Sequence, residues 1–523
     1  MRKVLYLLVA LSIVALCLSP SVQAEEPKRG GTFTLPLNGN PKMWPLVGSL
    51  PNILVNKVLY NYLIKYDSET LVPRGDLAES WDVSDDGLVW TFHLHKNVRW
   101  HDGHPFTARD VKFSFEARMN PDMPYYLRGN LAGFQRVEIV DDYTVKMVFS
   151  EPKASLPVIL GYLMDMVPEH LLKDYAPHEL IGPTEFLKHP IGTGPFKFKE
   201  FVPNSHVTLV ANEDYFEGRP YIDTIVYKII PDLDVQVAQL QTGDLDLAII
   251  EPPQLRAVES LPNIEIRLAK QVNYTFLGLN HTVPLFQDKR VRQALTYGLD
   301  REAILKTVAL GKGMLAIGPI SPFLEWVYNK NIQPYPYDVE KARALLAEAG
   351  WKPGPDGILQ KNGQRLSFTI SVDKGNPVRE QVAVIAQEYW KALGIETKID
   401  AIEFNVLVKN IRSHPPKYEA YVGYFITPPE PDLTAYYGTN GGTNIFAYSN
   451  PEVDRLLQLG RTTLDQKERA KIYAKMQEVI AEDAPAVFLY YPYEIQALNK
   501  RVQNWPSIGY RDGLKYAHKI WIK

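Results

Sequence analysis

The sequence predicts an α/β protein of more than one domain, on three observations. The chain has 523 residues, enough at roughly 100–200 residues per domain for two to four domains with large cores. Strand-like and helix-like periodicities alternate irregularly along it, with many loops between them. Its 46% hydrophobic and 22% charged residues are those of a water-soluble globular protein.

The first 24 residues stand apart from the fold. Arg2 and Lys3 form a basic start, Val4 to Leu18 is an apolar run broken only by Ser12, and Val22-Gln23-Ala24 puts small or compact residues at the −3 and −1 positions. This pattern is that of a secretory signal peptide cut after Ala24. The run is shorter than the about 20 residues of a membrane span, and an uncleaved anchor is the competing reading. Cys17 is the only cysteine and Leu16 precedes it, whereas a lipoprotein signal wants a small residue there. After cleavage no thiol remains, which excludes a cysteine nucleophile, a disulfide and a Cys-bound zinc together. Removing Arg2 and Lys3 leaves 55 basic residues against 60 acidic ones, a net charge of −5. No Lys/Arg run stands out, so neither nucleic acid nor an anionic membrane is an expected partner.

Individual elements follow from local pattern. Leu88 to His95 alternates, with Trp90, Phe92 and Leu94 on one face and Thr91, His93 and His95 on the other: a half-buried strand. Val207–Val210 and Thr224–Ile230 are rich in β-branched residues and read as strands. "YDVEKARALLAEAG" (337–350) reads as a helix, with Asp338 as cap, Ala342, Leu345, Leu346 and Ala349 as its apolar face, and Gly350 as its stop. Residues 451–485 read as two amphipathic helices separated near Thr462–Asp465. The 40 prolines exceed the ~5% average and predict many rigid connections. There is no internal repeat.

Catalytic patterns are missing. The chain has no G-x-S-x-G, no H-E-x-x-H and no Walker loop. "GTGPFKF" (192–198) departs from G-x-G-x-x-G because Lys197 stands where the third glycine belongs. A pair of glycosidase carboxylates leaves no local spacing rule, so a secreted carboxylate-pair hydrolase stays open as a second class of reading. "TFHLHKNVRWHDGH" (91–104) gathers His93, His95, His101 and His104 around Asp102. His93 and His95 share one strand face, a spacing able to chelate a metal. The alternative is a solvated strand face followed by an ordered turn.

The wider context of those histidines carries a resemblance. "LAESWDVSDDGLVWTFHLHKNVRWHDGHPFTARDVKFSFE" (77–116) resembles the family 5 solute-binding proteins of ABC importers, the dipeptide, oligopeptide and nickel binders. The match runs through A-E-S-W, D-G-x-x-W-T-F-x-L and W-H-D-G-x-P-F-T-A-x-D-V. "HPIGTGPFKF" (189–198), "NEDYFEGRPYIDTIVYKIIPD" (212–232), "LQTGDLDLA" (240–248), "FLGLNHTVPLFQDKRVRQALTYGLDREAI" (276–304) and "YDVEKARALLAEAGW" (337–351) continue it in order. The resemblance implies that the W-H-D-G turn is scaffold, so the histidine cluster is expected to be structural and no metal or cofactor is expected.

It also implies a fold: a two-lobed, α/β periplasmic binding protein-like architecture of the class II type, with an additional domain on the first lobe. The expected segments after the leader 1–24 are 25–67, 190–267 and 495–523 for the first lobe, 68–189 for the additional domain, and 268–494 for the second lobe. The implied function is capture of a peptide or peptide-like solute between lobes that close by hinge motion, by a monomeric, non-enzymatic extracytoplasmic protein that delivers it to ABC permease transmembrane subunits. A periplasm is the natural compartment.

Fold alone does not choose the ligand. In peptide binders of the family, the strand comparable to "YVGYFITPPEPD" (421–432) exposes backbone to the ligand and ends near an Asp that holds its α-amino group. Aligning Gly423-Tyr424 and Glu430-Pro431-Asp432 with that pattern puts Thr427 at the Asp position, with Glu430 or Asp432 as possible substitutes. Tyr421, Tyr424, Phe425, Tyr436 and Tyr437 surround this strand, and Trp44, Tyr274, Phe276 and Trp326 fall in segments that line the cleft in relatives, which favours an oligosaccharide as the alternative ligand. Ser49, Leu50 and Pro51 align with the first-lobe segment that touches ligand. Nickel is the weakest option, with His414 as the one histidine nearby.

Overall fold

The computed structural model describes residues 26–523 apart from 44, 47–49, 68, 124, 126–127 and 182–183; the proposed leader, Trp44 and Ser49 lie outside the described residues. Strands Thr32–Leu37, Thr224–Ile229, His206–Ala211 and Phe196–Val202 form a four-stranded sheet in that spatial order. The first pair is parallel and the rest antiparallel. Beside it, Glu494–Asn499 lies between Leu247–Ile250 and Ile264–Ala269 in a three-stranded antiparallel sheet.

A second four-stranded sheet is antiparallel, in the spatial order Ala78–Val83, Val89–Leu94, Thr144–Phe149, Phe134–Asp141. Val89–Leu94 alternates as its sequence predicts, with Trp90, Phe92 and Leu94 buried. One continuous apolar core joins this sheet to the first, running from Phe33 and Tyr227 to Phe92, Trp100 and Phe149. Helix Ala108–Met119 closes it. Thr107 and Asp110 form a capping box at its start, and the Asp110 carboxylate also accepts from Glu169 N at 3.0 Å.

The other lobe is built on a six-stranded sheet, ordered Gly313–Leu315, Ala486–Pro492, Tyr274–Leu279, Ala420–Phe425, Ser367–Asp373, Glu396–Ile402. Its central strand Tyr274–Leu279 is buried at every position, which fits its mostly apolar sequence. Helices Lys289–Tyr297, Val339–Glu348 and Pro377–Lys391 contribute to one core cluster, and Pro451–Thr462 and Gln466–Asp483 to another. The helices read from sequence form with their caps: Asp338 accepts from Lys341 N at 2.8 Å, and Gly350 sits at φ +90°.

The chain passes between the lobes at two adjacent places. Ile264–Ala269 runs through Lys270–Asn273 into Tyr274–Leu279, and Ala486–Pro492 runs through Tyr493 into Glu494–Asn499.

The four histidines resolve into separate local roles. His93 pairs with Asp82 at 3.1 Å on the exposed face, and His95 packs on Phe216. Asp102 accepts from His104 N and from His170, whose ring stacks on His104. His101 turns inward: its Nδ1 accepts from Gly192 N–H at 3.1 Å and its Nε2–H donates to Gly194 O at 3.0 Å. The two glycines are required, because a Cβ at Gly192 would run into the Leu59 carbonyl and one at Gly194 into that of Val58. His101 therefore stitches the additional sheet to the first-lobe core as a neutral ring, with burial holding its pKa down at about 4. The unfolded chain takes up this proton near pH 6.5 and the folded chain does not, so the stability it confers is full above pH 6.5 and is lost as pH falls toward 4. The expected outcome is a melting temperature that drops over this window, with a shallower drop in His101→Gln, whose amide can accept and donate in the same places. An identical slope in both proteins would remove His101 from this role.

Candidate functional site

The two lobes face each other across a cleft of two adjoining compartments, of about 470 Å³ and 640 Å³. Leu233, Ile249, Glu251, Gln271, Tyr424 and Glu494 line both, so they form one continuous groove. Each compartment alone falls within the size range of small-molecule sites. The first is mainly apolar, with Leu54 and Ile508 on the first lobe and Tyr162 beside them opposite Phe323, Ile426 and Pro429 on the second. The second carries Lys312, Lys374 and Arg379 around the start of helix Pro377–Lys391, together with Glu251, Asp373 and Glu494.

A chain of side-chain hydrogen bonds runs along the groove floor through both crossing segments. Asn273 Nδ2 donates to Tyr424 Oη at 2.6 Å, Tyr424 donates to Gln271 Oε1 at 2.9 Å, and Gln271 Nε2 donates to Glu494 Oε2 at 2.6 Å. Gln496 Nε2 donates to the other Glu494 oxygen at 2.8 Å, and Trp505 Nε1 to Gln496 Oε1 at 2.9 Å.

At the start of helix Pro377–Lys391, Asn376 caps the helix by accepting from Arg379 N at 3.1 Å, while Asp373 accepts from the Arg379 guanidinium at 3.0 Å and from Asn376 Nδ2 at 3.1 Å. The positive end of a 15-residue helix and a guanidinium thus converge on one groove wall. Next to it, the sheet opens. Ala420–Phe425 is paired along its whole length with Tyr274–Leu279. On its other side the parallel ladder to Ser367–Asp373 holds only Ile370↔Ala420 and Ser371↔Tyr421. Val422–Phe425 therefore presents an edge without a strand partner among the described residues, between Tyr424 and the Asp373–Arg379 loop.

The residues singled out from sequence divide sharply. Tyr424 lines the groove. Tyr274, Phe276 and Phe425 are buried in a second-lobe core, with Tyr274 Oη 2.9 Å from Tyr437 Oη and the Phe276 and Phe425 rings 4.8 Å apart. Gly423 is small for the sake of this core: a Cβ there would meet the Phe276 ring at 2.6 Å. Thr427 is buried, its hydroxyl donating to Val272 O and its N–H to Asn273 Oδ1. Glu430 is buried against Arg469, whose guanidinium also lies over the Trp326 ring. Burial pushes the Glu430 carboxyl up to about 7 and Arg469 opposes that rise, while the carboxylate helps hold Arg469 charged. Asp432 accepts from Thr434 N at 3.1 Å at the turn into the short helix Thr434–Tyr437. Leu50 and Pro51 open helix Leu50–Leu59, from which Leu54 reaches the groove.

Sequence reasoning passed over Glu251, Gln271, Asn273, Arg379 and Glu494. A signal existed for one of them: "DKGNPVRE" (373–380) carries Asn before Pro, a helix start, with an arginine in its first turn. The others sit in segments that resemble ordinary strand ends.

Comparison with known proteins gives this geometry its family. Residues 72–447 match the family model described as bacterial extracellular solute-binding proteins, family 5 middle. The chain is 35% identical over 515 residues to the oligopeptide-binding protein AppA of Bacillus subtilis, covering 96% of this chain and 94% of that one. It is 31% identical over 476 residues to heme-binding protein A of Haemophilus influenzae, covering 86% and 84%. The solved structure of B. subtilis AppA in complex with a nonapeptide superposes with a TM-score of 0.82 at 34% identity, over 95% of this chain and all of that one. A two-lobed α/β chain with its groove between the lobes is a binding protein, and this one belongs to the family 5 extracellular solute-binding proteins. That family consists of solute carriers rather than enzymes.

Phe276 tests the division between core and groove. Phe276→Ala is expected to cost about 3–5 kcal/mol of stability, as for a large core side chain, in a chemical-denaturation titration. A normal stability with lost ligand affinity would instead return Phe276 to the site.

Proposed function

We propose that the protein is an extracytoplasmic receptor that captures a peptide in extended form between its lobes and hands it to the transmembrane subunits of an ABC importer. The observation that carries this reading is the open strand edge at Val422–Phe425, which reaches the groove at Tyr424. An extended peptide can add to such an edge through backbone hydrogen bonds, while its side chains enter flanking pockets. This bonding is indifferent to sequence, as a transporter of varied peptides requires. Arg379 and the helix start beside it suit a ligand carboxylate through charge-assisted bonds. The nonapeptide held by the AppA relative supports the same class of ligand. An oligosaccharide finds less here, because Tyr274, Phe276 and Phe425 pack against one another, edge-on or tilted, rather than in the groove.

In this reading the leader is removed after Ala24 and the mature chain works in the periplasm as a monomer. The first lobe comprises 25–67, 190–267 and 495–523, the additional domain 68–189 and the second lobe 268–494. A ligand touching both lobes favours the closed form by its differential affinity for it.

The experiment is native mass spectrometry of the protein as purified, followed by denaturation and calorimetric titration with synthetic peptides. Released masses separated by amino-acid increments, and loss of affinity when the peptide backbone is N-methylated, are the expected outcome. A hexose ladder would replace the peptide by a sugar, and a porphyrin absorption band would align the protein with its heme-binding relative. Arg379→Ala is expected to weaken a peptide with a free carboxylate by about 10- to 100-fold, and to leave its C-terminal amide nearly unchanged.

A further inference from the structure

Four carboxylates line the groove, and three are already committed. Asp373 is held by Arg379 and Asn376. Glu494 accepts from Gln271 and Gln496. Asp512 lies 3.9 Å from the ammonium groups of both Lys57 and Lys515. Glu251 differs. It follows strand Leu247–Ile250 at the turn into Pro252–Gln254, its side chain caps nothing, and its carboxylate makes no hydrogen bond or ion pair among the described residues. It lines both compartments. The side chain is exposed to the groove; desolvation by the surrounding walls raises its pKa, and Arg379 on the opposite lobe pulls the other way. The acids offered by the strand-end sequence are spent: Glu430 on Arg469 and Asp432 on Thr434. Thr427, at the position where the family pattern has a carboxylate, has its hydroxyl turned to Val272 O.

We propose that Glu251, on the first lobe, is the cation anchor of the groove, receiving an ammonium or guanidinium group of the bound peptide. Glu251 is exposed to solvent in the groove; a ligand enclosed between the lobes would take that water away, and a ligand cation is the group that offsets the loss. Charge fixes the polarity. The cations Lys312, Lys374 and Arg379 lie in the second compartment alone and take the carboxylate end, and the ligand cation reaches Glu251 from the first compartment, whose other charged walls are Glu494, Asp512 and Lys270. A ligand bearing both charges then bridges Glu251 on one lobe and Arg379 on the other. The cation has two sources, the peptide's own N-terminus or a lysine or arginine side chain.

This inference rests on the peptide reading, and the test separates the two. The full mature protein and Glu251→Gln are titrated calorimetrically with pentaalanine, N-acetyl-pentaalanine, Ala-Ala-Lys-Ala-Ala and its N-acetyl form, with melting curves confirming that the variant is folded. Glu251→Gln is expected to lose about 10- to 100-fold in affinity for peptides with a cation and to equal the wild type for N-acetyl-pentaalanine. If N-acetylation of pentaalanine alone abolishes the difference, the anchor takes the α-ammonium; if the acetylated lysine peptide keeps it, the anchor takes the side chain. Glu251→Lys is expected to reverse the preference between cationic and neutral peptides. Equal losses on all four peptides, or none, would overturn the role of Glu251 while leaving the peptide reading intact. Failure of the wild type to bind any of the four would overturn that reading and this inference with it.

Discussion

Two short crossings between the lobes, Lys270–Asn273 and Tyr493, set the terms for the rest of the molecule. They are neighbours in space because Ile264–Ala269 pairs with Glu494–Asn499 on one side and Tyr274–Leu279 pairs with Ala486–Pro492 on the other. A protein joined by two adjacent strands has one soft direction, rotation about the line through both, while the sheets on either side resist bending. The hydrogen bonds Tyr424–Gln271–Glu494–Gln496 lie along that line. They bridge the lobes with groups near the rotation axis, which move least when the lobes open. The groove floor therefore stays intact while its rims separate, and its polar groups remain satisfied throughout.

Rigidity of the second lobe comes partly from buried arginines that bond to backbone rather than to carboxylates. Arg301 donates to the carbonyls of Ala316 and Phe488, each at 2.8 Å, and burial lowers its pKa to about 10. Arg292 donates to Phe286, Asp483 and Ala484 carbonyls. Each guanidinium offers five donors in a fixed fork, so one side chain fixes several loop carbonyls that have no ladder of their own. These residues hold the end of helix Gln466–Asp483 and the middle of Ala486–Pro492, the strand that leads into the second crossing.

How much of this the sequence discloses depends on whether a feature is local. Helix Val339–Glu348 was legible because its cap, apolar face and stop lie within fourteen residues. Val89–Leu94 was legible because its alternation is unbroken. The Thr107–Asp110 capping box lay inside a motif that the family resemblance had already marked as scaffold. The groove was not legible in the same way. An aromatic-rich strand such as 421–425 has the same composition whether its rings face a ligand or one another; only the pairing Tyr274↔Phe425 turns Phe276 and Phe425 into a common core. Glu251 and Glu494 are separated by hundreds of residues and meet because strands Leu247–Ile250 and Glu494–Asn499 pair. Thr427 follows the aromatic strand in sequence, yet its hydroxyl is committed to a crossing segment, a fact that depends on long-range packing.

The additional sheet bears on closure from the far rim of the groove. Its loop 150–155 touches the second lobe directly: Ala154 N donates to Arg461 O at 3.0 Å, and Gln458 Nε2 donates to Glu151 Oε2 at 3.2 Å. Leu464 lies against Gly87 and Pro152, and Leu71 packs on the core around Trp326 and Tyr473. All of these contacts lie away from the two crossings, so rotation about them breaks the contacts together. They therefore count toward the closed form whether or not ligand is present, and they lower the differential affinity a ligand must supply to populate it. A groove that binds backbone generically gains little from any one side chain. Distributing closure between the ligand and a protein–protein rim lets weakly interacting peptides of differing sequence still reach the closed state.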